Sequence, residues 1–520
     1  MSARPPRPAL LEFSLLFTFV IHLLAMGTMP LLLMGGLPGG WNGAPAERAA
    51  FIADHPWLWR LGWLPWQITA FSDLLVSLAI LRTFWLPRLS AWAGFLVTLL
   101  ALIPDQVGQA VWITRGVDIA TEAHATGSPQ LYATFEAAIF PIVGGWGAIL
   151  YLTMALCWTW TFAAAGLWTR GLIWISVLTW SVFAFAGVAL VLPADLQPPM
   201  AVIAAANALA FLGLVAWNIG VGEQVFRVSR PDQPHGRWAP WRHPRSGPIA
   251  RCFGAIANSR FLRGLSEWLP TLAFRSDITD VLYVNYLVDA ARLTPLVPDG
   301  LELQRLGPDR RHALLTFLTY NHGHFGPRIL GPLRRLLPSP VQSNWRIYVR
   351  DPRTGQAGIY FFTNAIDRTL HALAARLFAE GMPMHRLAKG EVSRLGDGGA
   401  YHLRLDPGAG TAPDADATLR PAARTLPDAW RPCFADYRAF LDYCVPQDRA
   451  LSVQPWYGRV TRQEIHLGID LADVEPLQGE VCSRAAEAIV GPAAPVCFRV
   501  PRVSFLFDRE EHDPLSGATA

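Results

Sequence analysis

Four stretches of this chain carry no Asp, Glu, Lys or Arg: Phe13 to Ala46, Ala137 to Thr169, Gly171 to Ala194 and Leu196 to Gly222. A helix crosses a hydrocarbon core of about 30 Å with roughly 20 apolar residues, so each stretch is long enough to span a bilayer. The apolar content follows the same pattern: 52% of the 520 residues are hydrophobic and 16% charged, with the excess in the first 225. Beyond that point the chain reads as short alternating segments with ordinary charge. The sequence therefore predicts an all-α membrane half followed by a mainly β half.

Six spans are expected, at about 13–35, 66–87, 89–112, 137–160, 171–193 and 200–220. The basic N-terminus precedes an apolar stretch too long for a signal peptide and without a small-x-small cleavage site, which predicts an uncleaved first span. With the N-terminus inside, one side holds Arg4, Arg7, Arg82, Arg88, Arg170 and the arginine run after the sixth span, against Arg48, Arg60 and Arg115 on the other. That bias predicts a multi-pass protein of an inner or plasma membrane with both termini cytoplasmic. Trp57, Trp59, Trp63, Trp66, Trp168 and Trp217 fall near predicted span ends, as interfacial anchors do. His22, Asp73, Asp105, Gln106, Gln109 and Glu136 lie at predicted lipid depth, where polar groups face a bundle interior or a wet cavity. They are candidates for a polar pocket, which a transporter would need.

The boundaries expected are 1–225 for the membrane domain, 226–265 for a linker, 266–512 for a β domain and 513–520 for a tail. Residues 227–250 hold five prolines and five arginines, which predicts an extended spacer. Arginines across 227–263 form a basic collar that would attract anionic lipid headgroups. No motif supports nucleic-acid binding. The six cysteines are scattered and give no disulfide framework or zinc site. The sequence holds no P-loop, dinucleotide-binding glycine fingerprint, G-x-S-x-G elbow or H-E-x-x-H motif, and no cofactor is expected.

In the second half, SNWRIYVRD (343–351) alternates Asn344, Arg346, Tyr348 and Arg350 with Trp345, Ile347 and Val349, and QAGIYFFTNA returns after a DPRTG turn as a hairpin. The polar face would line an interior and hold a carboxylate, or form a wet exterior. A helix is expected at about 365–380 with Leu370, Leu373, Leu377 and Phe378 on its apolar stripe. A strand from 383, a turn at 396–399, the strand AYHLRL and a mobile loop at about 407–428 should follow. In TRQEIHLGIDL (461–471), Glu464 and His466 share a strand face as an acid and base would. His322 and His324 have the H-x-H spacing of some metal sites, without an evident third ligand.

VNYLVDAARLTPLVPDGLELQRLG, SNWRIYVRDPRTGQAGIYFFTNA, RLFAEGMPMHR and TRQEIHLGIDLADVEPLQGEV, in that order, resemble the YqjF-like family, an uncharacterised branch of the acetoacetate-decarboxylase-like superfamily. The likeness covers about 275–485. It implies a cone-shaped β-barrel around a small-molecule cavity. The superfamily's namesake uses a lysine Schiff base just after a helix, in a motif like Gly-Tyr-Pro-Lys-Lys. Matched to GMPMHR, the nucleophile's position holds Met384 and its partner's holds His385. Lys389, the single lysine of the chain, lies five residues past Met384, on the opposite face of a regular strand. The resemblance thus implies a cavity for an anionic or carbonyl-bearing ligand without lysine catalysis. Asn344, Arg346, Tyr348, Arg350, Met384 and His385 are the ligand-binding candidates. His385 or the Glu464/His466 pair would carry any other chemistry.

Overall fold

The computed structural model describes residues 7–269, 273–396, 399–445, 448–454 and 457–515. Arg4, the centre of the predicted turn at 396–399 and most of the predicted tail lie outside them. The chain divides into two compact units, residues 1–229 and 230–520.

The first unit is helical. Six helical segments have the length and hydropathy to cross a membrane: Ala9–Leu33, Pro56–Arg82, Arg88–Thr126, Pro129–Ala164, Arg170–Val191 and Met200–Ser229. The second starts ten residues before its predicted position, because Arg60 is accommodated, its Nε donating to the Ile113 carbonyl at 3.3 Å and its guanidinium lying 5.2 Å from the Trp57 ring. The third continues through Pro104 and Asp105 to Thr126. A further helix, Pro45–Asp54, went unread in the sequence. Trp57 is exposed, whereas Trp59, Trp63, Trp66 and Trp217 are buried within the helical unit and do not face outward as anchors would. Trp59 and Trp63 pack on Trp112, Trp66 on Phe211, and Trp217 on Trp158 and Trp180. Each ring buries a large area in these helix contacts, and the edge-on Trp59–Trp112, Trp66–Phe211 and Trp180–Trp217 pairs suit the ring quadrupoles.

The second unit opens with residues 231–247, which hold no helix, as their prolines predict, but are partly buried; helices Pro248–Asn258 and Arg260–Ser266 follow. Arg230, Arg237, Arg260 and Arg263 are buried with their guanidinium carbons 4.8–5.9 Å from the Trp238 ring. Arg237 bonds Glu267 and Arg263 bonds the backbone carbonyls of Arg237 and Ala257. The expected lipid-facing collar is thereby halved: Arg227, Arg242, Arg245 and Arg251 remain exposed.

Fourteen strands follow among the described residues. β1 spans Phe274–Asp289, β2 Glu302–Leu303, β3 His312–Asn321, β4 Gly326–Pro327, β5 Val341–Arg350 and β6 Ala357–Ile366. β7 spans Met384–Arg386, β8 Lys389–Leu395, β9 Ala400–Asp406 and β10 Ala415–Pro421. β11 spans Arg449–Gln454, β12 Arg459–Leu467, β13 Glu475–Cys482 and β14 Val496–Pro514. Seven of them, in the order β1-β3-β5-β6-β11-β12-β14, close into a ring because β14 pairs antiparallel with β1. β13, β10, β9 and β8 extend the sheet from β14. One core lies within the ring around Tyr283, Leu318, Phe361 and Phe498. The other packs Val284, Phe317, Trp345 and Ile347 on Leu403 and Leu419 of the extension. Every residue from Val341 to Val349 is therefore buried, which is why alternation in SNWRIYVRD marks two interiors and no wet face.

Other differences have local causes. The predicted helix is Thr369–Phe378, but its buried face is Ala372, Leu373 and Arg376, while Leu370 and Phe378 are exposed. Within the predicted mobile loop, 415–421 is strand β10, held between β9 and β13. The helix Tyr437–Cys444, unread in the sequence, places Tyr437, Phe440, Leu441 and Cys444 inside the ring.

Candidate functional site

Within the ring is a cavity of about 40 Å³, measured as space open to the centre of a water-sized sphere. That holds a few waters, each needing roughly 10–15 Å³ on this measure. Its walls are mostly aliphatic and aromatic, with Tyr283, Tyr320, Asn344 and Arg346 as polar members and the half-buried Met382, Leu467 and Ile469 at the rim. Arg346 is the one charged side chain among the described lining residues.

Arg346 reaches this wall by the ordinary alternation of β5, on the face shared with Asn344 and Tyr348 and opposite Trp345 and Ile347. The β5–β6 register slips beside it, Trp345 facing Thr363 and Arg346 facing Phe361, which leaves Phe362 of β6 as the extra residue of a bulge. The guanidinium is 3% exposed. One nitrogen donates to the Cys444 carbonyl at 2.9 Å, and the Tyr283 and Tyr348 rings lie 5.5 and 5.6 Å from its carbon. Its Nε has no hydrogen-bond partner. Among the described residues no carboxylate lies within ion-pair distance of it. A buried guanidinium ordinarily has one, because an unpaired buried charge is costly.

Two neutral hydrogen-bonded groups flank Arg346. Below it, Asn285 Oδ1 accepts from Thr316 (2.8 Å) and the Cys444 thiol (3.0 Å), and the Tyr348 hydroxyl lies 3.0 Å from Thr316 Oγ1 and 3.1 Å from Cys444 Sγ. Burial pushes the Cys444 thiol up and the Tyr348 phenol well above its ordinary value, so both stay protonated. Beside it, Asn344 Nδ2 donates to the Tyr320 hydroxyl at 3.1 Å and Gln342 Nε2 to Asn344 Oδ1 at 2.7 Å. Behind Gln342 is His322, whose ring nitrogens lie 2.9 Å from Gln342 Oε1 and 2.8 Å from Ser276 Oγ. Burial drives its pKa down to about 4.

The comparisons with known proteins bear on this same part of the chain. Residues 275–425 match the family model DUF2071, described as an uncharacterized conserved protein. No curated protein matches the chain. Solved structures similar to this chain include the enduracididine biosynthesis enzyme MppR with HEPES buffer bound, at 14% identity, covering 48% of this chain and 90% of that one with a TM-score of 0.34. Acetoacetate decarboxylase from Legionella pneumophila matches at 14% identity over 47% of this chain and 88% of that one, TM-score 0.34. An acetoacetate decarboxylase-like enzyme from Sphingomonas wittichii RW1 matches at 10% identity over 47% and 94%, TM-score 0.34.

In the sheet-rich unit the other predicted site residues scatter. Tyr348 is buried beside Arg346, whereas Arg350 lies at the exposed end of β5. The Gly-x-Pro corner presents Met382, not Met384, to the cavity; Met384 packs on Ile366 and Ala372. His385 points the other way, its Nδ1 2.8 Å from Thr411 Oγ1. Burial, with Arg376 and Arg263 nearby, holds its pKa well below the usual imidazole range. It cannot serve the cavity. Neither can Glu464 or His466: Ile465 and Leu467 are the β12 residues that line it, and His466 is exposed. Lys389 heads β8, exposed and 2.7 Å from Glu391. His322 and His324 do not converge, since His324 is exposed on a turn at φ 53°. Among the described residues no group of three or more His, Cys, Asp or Glu could hold a metal ion.

In the helical unit, His22 Nε2 lies 4.0 Å from Asp73, and Thr18 donates to Asp73 at 3.1 Å. Asp105 accepts from Gln109 at 2.7 Å, Gln106 at 3.1 Å and the Tyr151 hydroxyl at 3.1 Å. Glu136 stands apart in a buried bidentate pair with Arg48, so it belongs to helix packing and not to a shared pocket. Reading the sequence missed Tyr283, Tyr320 and Cys444. The first two sit in strands without polar alternation, and Cys444 in an unread helix.

Proposed function

We propose that the DUF2071 barrel binds a small organic anion, its carboxylate on Arg346 and its apolar part among Tyr283, Phe361 and Met382. One observation carries this: a buried guanidinium with a free Nε and no carboxylate partner among the described residues faces the cavity. A bound carboxylate would supply the missing acceptor and the missing charge. The reading is of a binding or sensory module. The exposed, ion-paired Lys389 argues against Schiff-base catalysis, and His385, Glu464 and His466 lie away from the cavity. The six apolar helices anchor the module in a membrane, and the arginine bias of the loops favours a cytoplasmic barrel.

Calorimetric titration of the full-length protein with a panel of short monocarboxylates tests this. Arg346→Met should weaken the best ligand at least about 30-fold, since truncating one partner of a buried charged pair costs roughly 2–5 kcal/mol. Arg346→Lys should not restore binding, because a lysine lacks the planar fork. Unchanged affinity in Arg346→Met would sink the proposal.

A further inference from the structure

The helical unit holds a second polar interior that the barrel's ligand does not use. Asp73 and Asp105 sit on two helices packed against each other, Pro56–Arg82 and Arg88–Ile113. The groups facing them are His22 from the first span and Tyr151 from the fourth. Glu136 and Arg48 neutralise each other elsewhere, and Arg60 is turned to the Ile113 carbonyl. His22, protonated, can balance Asp73. Among the described residues nothing cationic lies within ion-pair distance of Asp105, which is 7% exposed. A lone carboxylate at that depth is neutralised by the ion or proton it binds.

Gln109 indicates which. Its amide nitrogen donates to Asp105, while its Oε1 is buried with no hydrogen-bond partner. A charged Asp105 accepts from the Gln109 NH2 as observed. A protonated Asp105 has an O–H to donate, and a half-turn of the same amide brings the idle Oε1 to accept it. The side chain thus serves both protonation states in place. We infer that Asp105, with the His22–Asp73 pair, forms a proton-binding site within the membrane helices. Binding is one proton onto a carboxylate oxygen, with no other bond made or broken.

Infrared difference spectra of the full-length protein in lipid vesicles, between about pH 8 and about pH 5, read carboxyl protonation directly. The expected result is a protonated-carboxyl band that grows on acidification and is lost or reduced in Asp105→Asn. Its frequency or midpoint should change in His22→Gln, which replaces the ionisable neighbour of Asp73 by a neutral one. If Asp105→Asn fails to assemble, His22→Gln decides, since it keeps both carboxylates. A spectrum without a titrating carboxyl band, or a band insensitive to both substitutions, overturns the inference. Loss of ligand binding by Arg346→Met leaves this outcome untouched, so the two sites stand or fall separately.

Discussion

Arg346 and Lys389 show how environment, not residue type, decides what a cation does. One is sealed beneath aromatic rings with part of its hydrogen-bonding capacity unspent; the other is solvated and already paired with Glu391. Borohydride treatment in the presence of a carbonyl ligand should leave Lys389 unmodified by peptide mass mapping. A stable adduct lost in Lys389→Arg would restore lysine chemistry. His322 makes a different prediction. Its pKa of about 4 in the folded protein lies below the roughly 6.5 of an unfolded histidine. Between those values the unfolded chain binds a proton that the folded one does not, so stability is full above about pH 6.5 and falls with acid. By pH 5 the loss from this group is about 2 kcal/mol. Other buried histidines, such as His385, add losses of the same sign, so the diagnostic quantity is a difference. His322→Gln should lose less thermal stability than the wild type between about pH 7 and pH 5. Equal losses would contradict the linkage.

Among elements, the helix Tyr437–Cys444 couples stability to the cavity. Asp436 caps it, accepting from the Ala439 amide at 2.8 Å, and its far end supplies the Cys444 carbonyl that holds Arg346. Asp436→Ala should cost about 1 kcal/mol of stability and weaken anion binding measurably, both visible in one ligand-dependent thermal shift series. Lower stability with unaltered affinity would separate the helix from the site. This helix was not legible in the sequence, because its eight residues carry an apolar pattern too short to distinguish from a strand. The β5–β6 hairpin was legible, since alternation and a DPRTG turn mark it unambiguously. What alternation cannot reveal is that both faces of β5 are covered, one by the ring interior and the other by the sheet extension. The same limit misassigned β12: strict alternation grouped Glu464 with His466, but which face looks inward depends on neighbours distant in sequence. Composition hid β10, whose Ala, Asp and Pro read as loop until β9 and β13 flank it. The six spans needed only hydropathy and were found, with their ends displaced where a single arginine is accommodated.

At the scale of the molecule, the loop arginines predict that reporters fused near residue 225 and at the C-terminus are both active on the cytoplasmic side. An extracytoplasmic signal from either would reverse the topology. The closure of the barrel has a kinetic consequence. β1 finds its β14 partner about 220 residues later in the chain, and contacts that distant form late. Until the last strand emerges from the ribosome, the edge of β1 that will meet it is an unpaired ladder beside an apolar interior. Such an edge is the kind of surface on which nascent chains stick to one another. A chain that stops before Val496 would never cover it, so the final segment acts as the latch that turns an adhesive sheet into a sealed vessel.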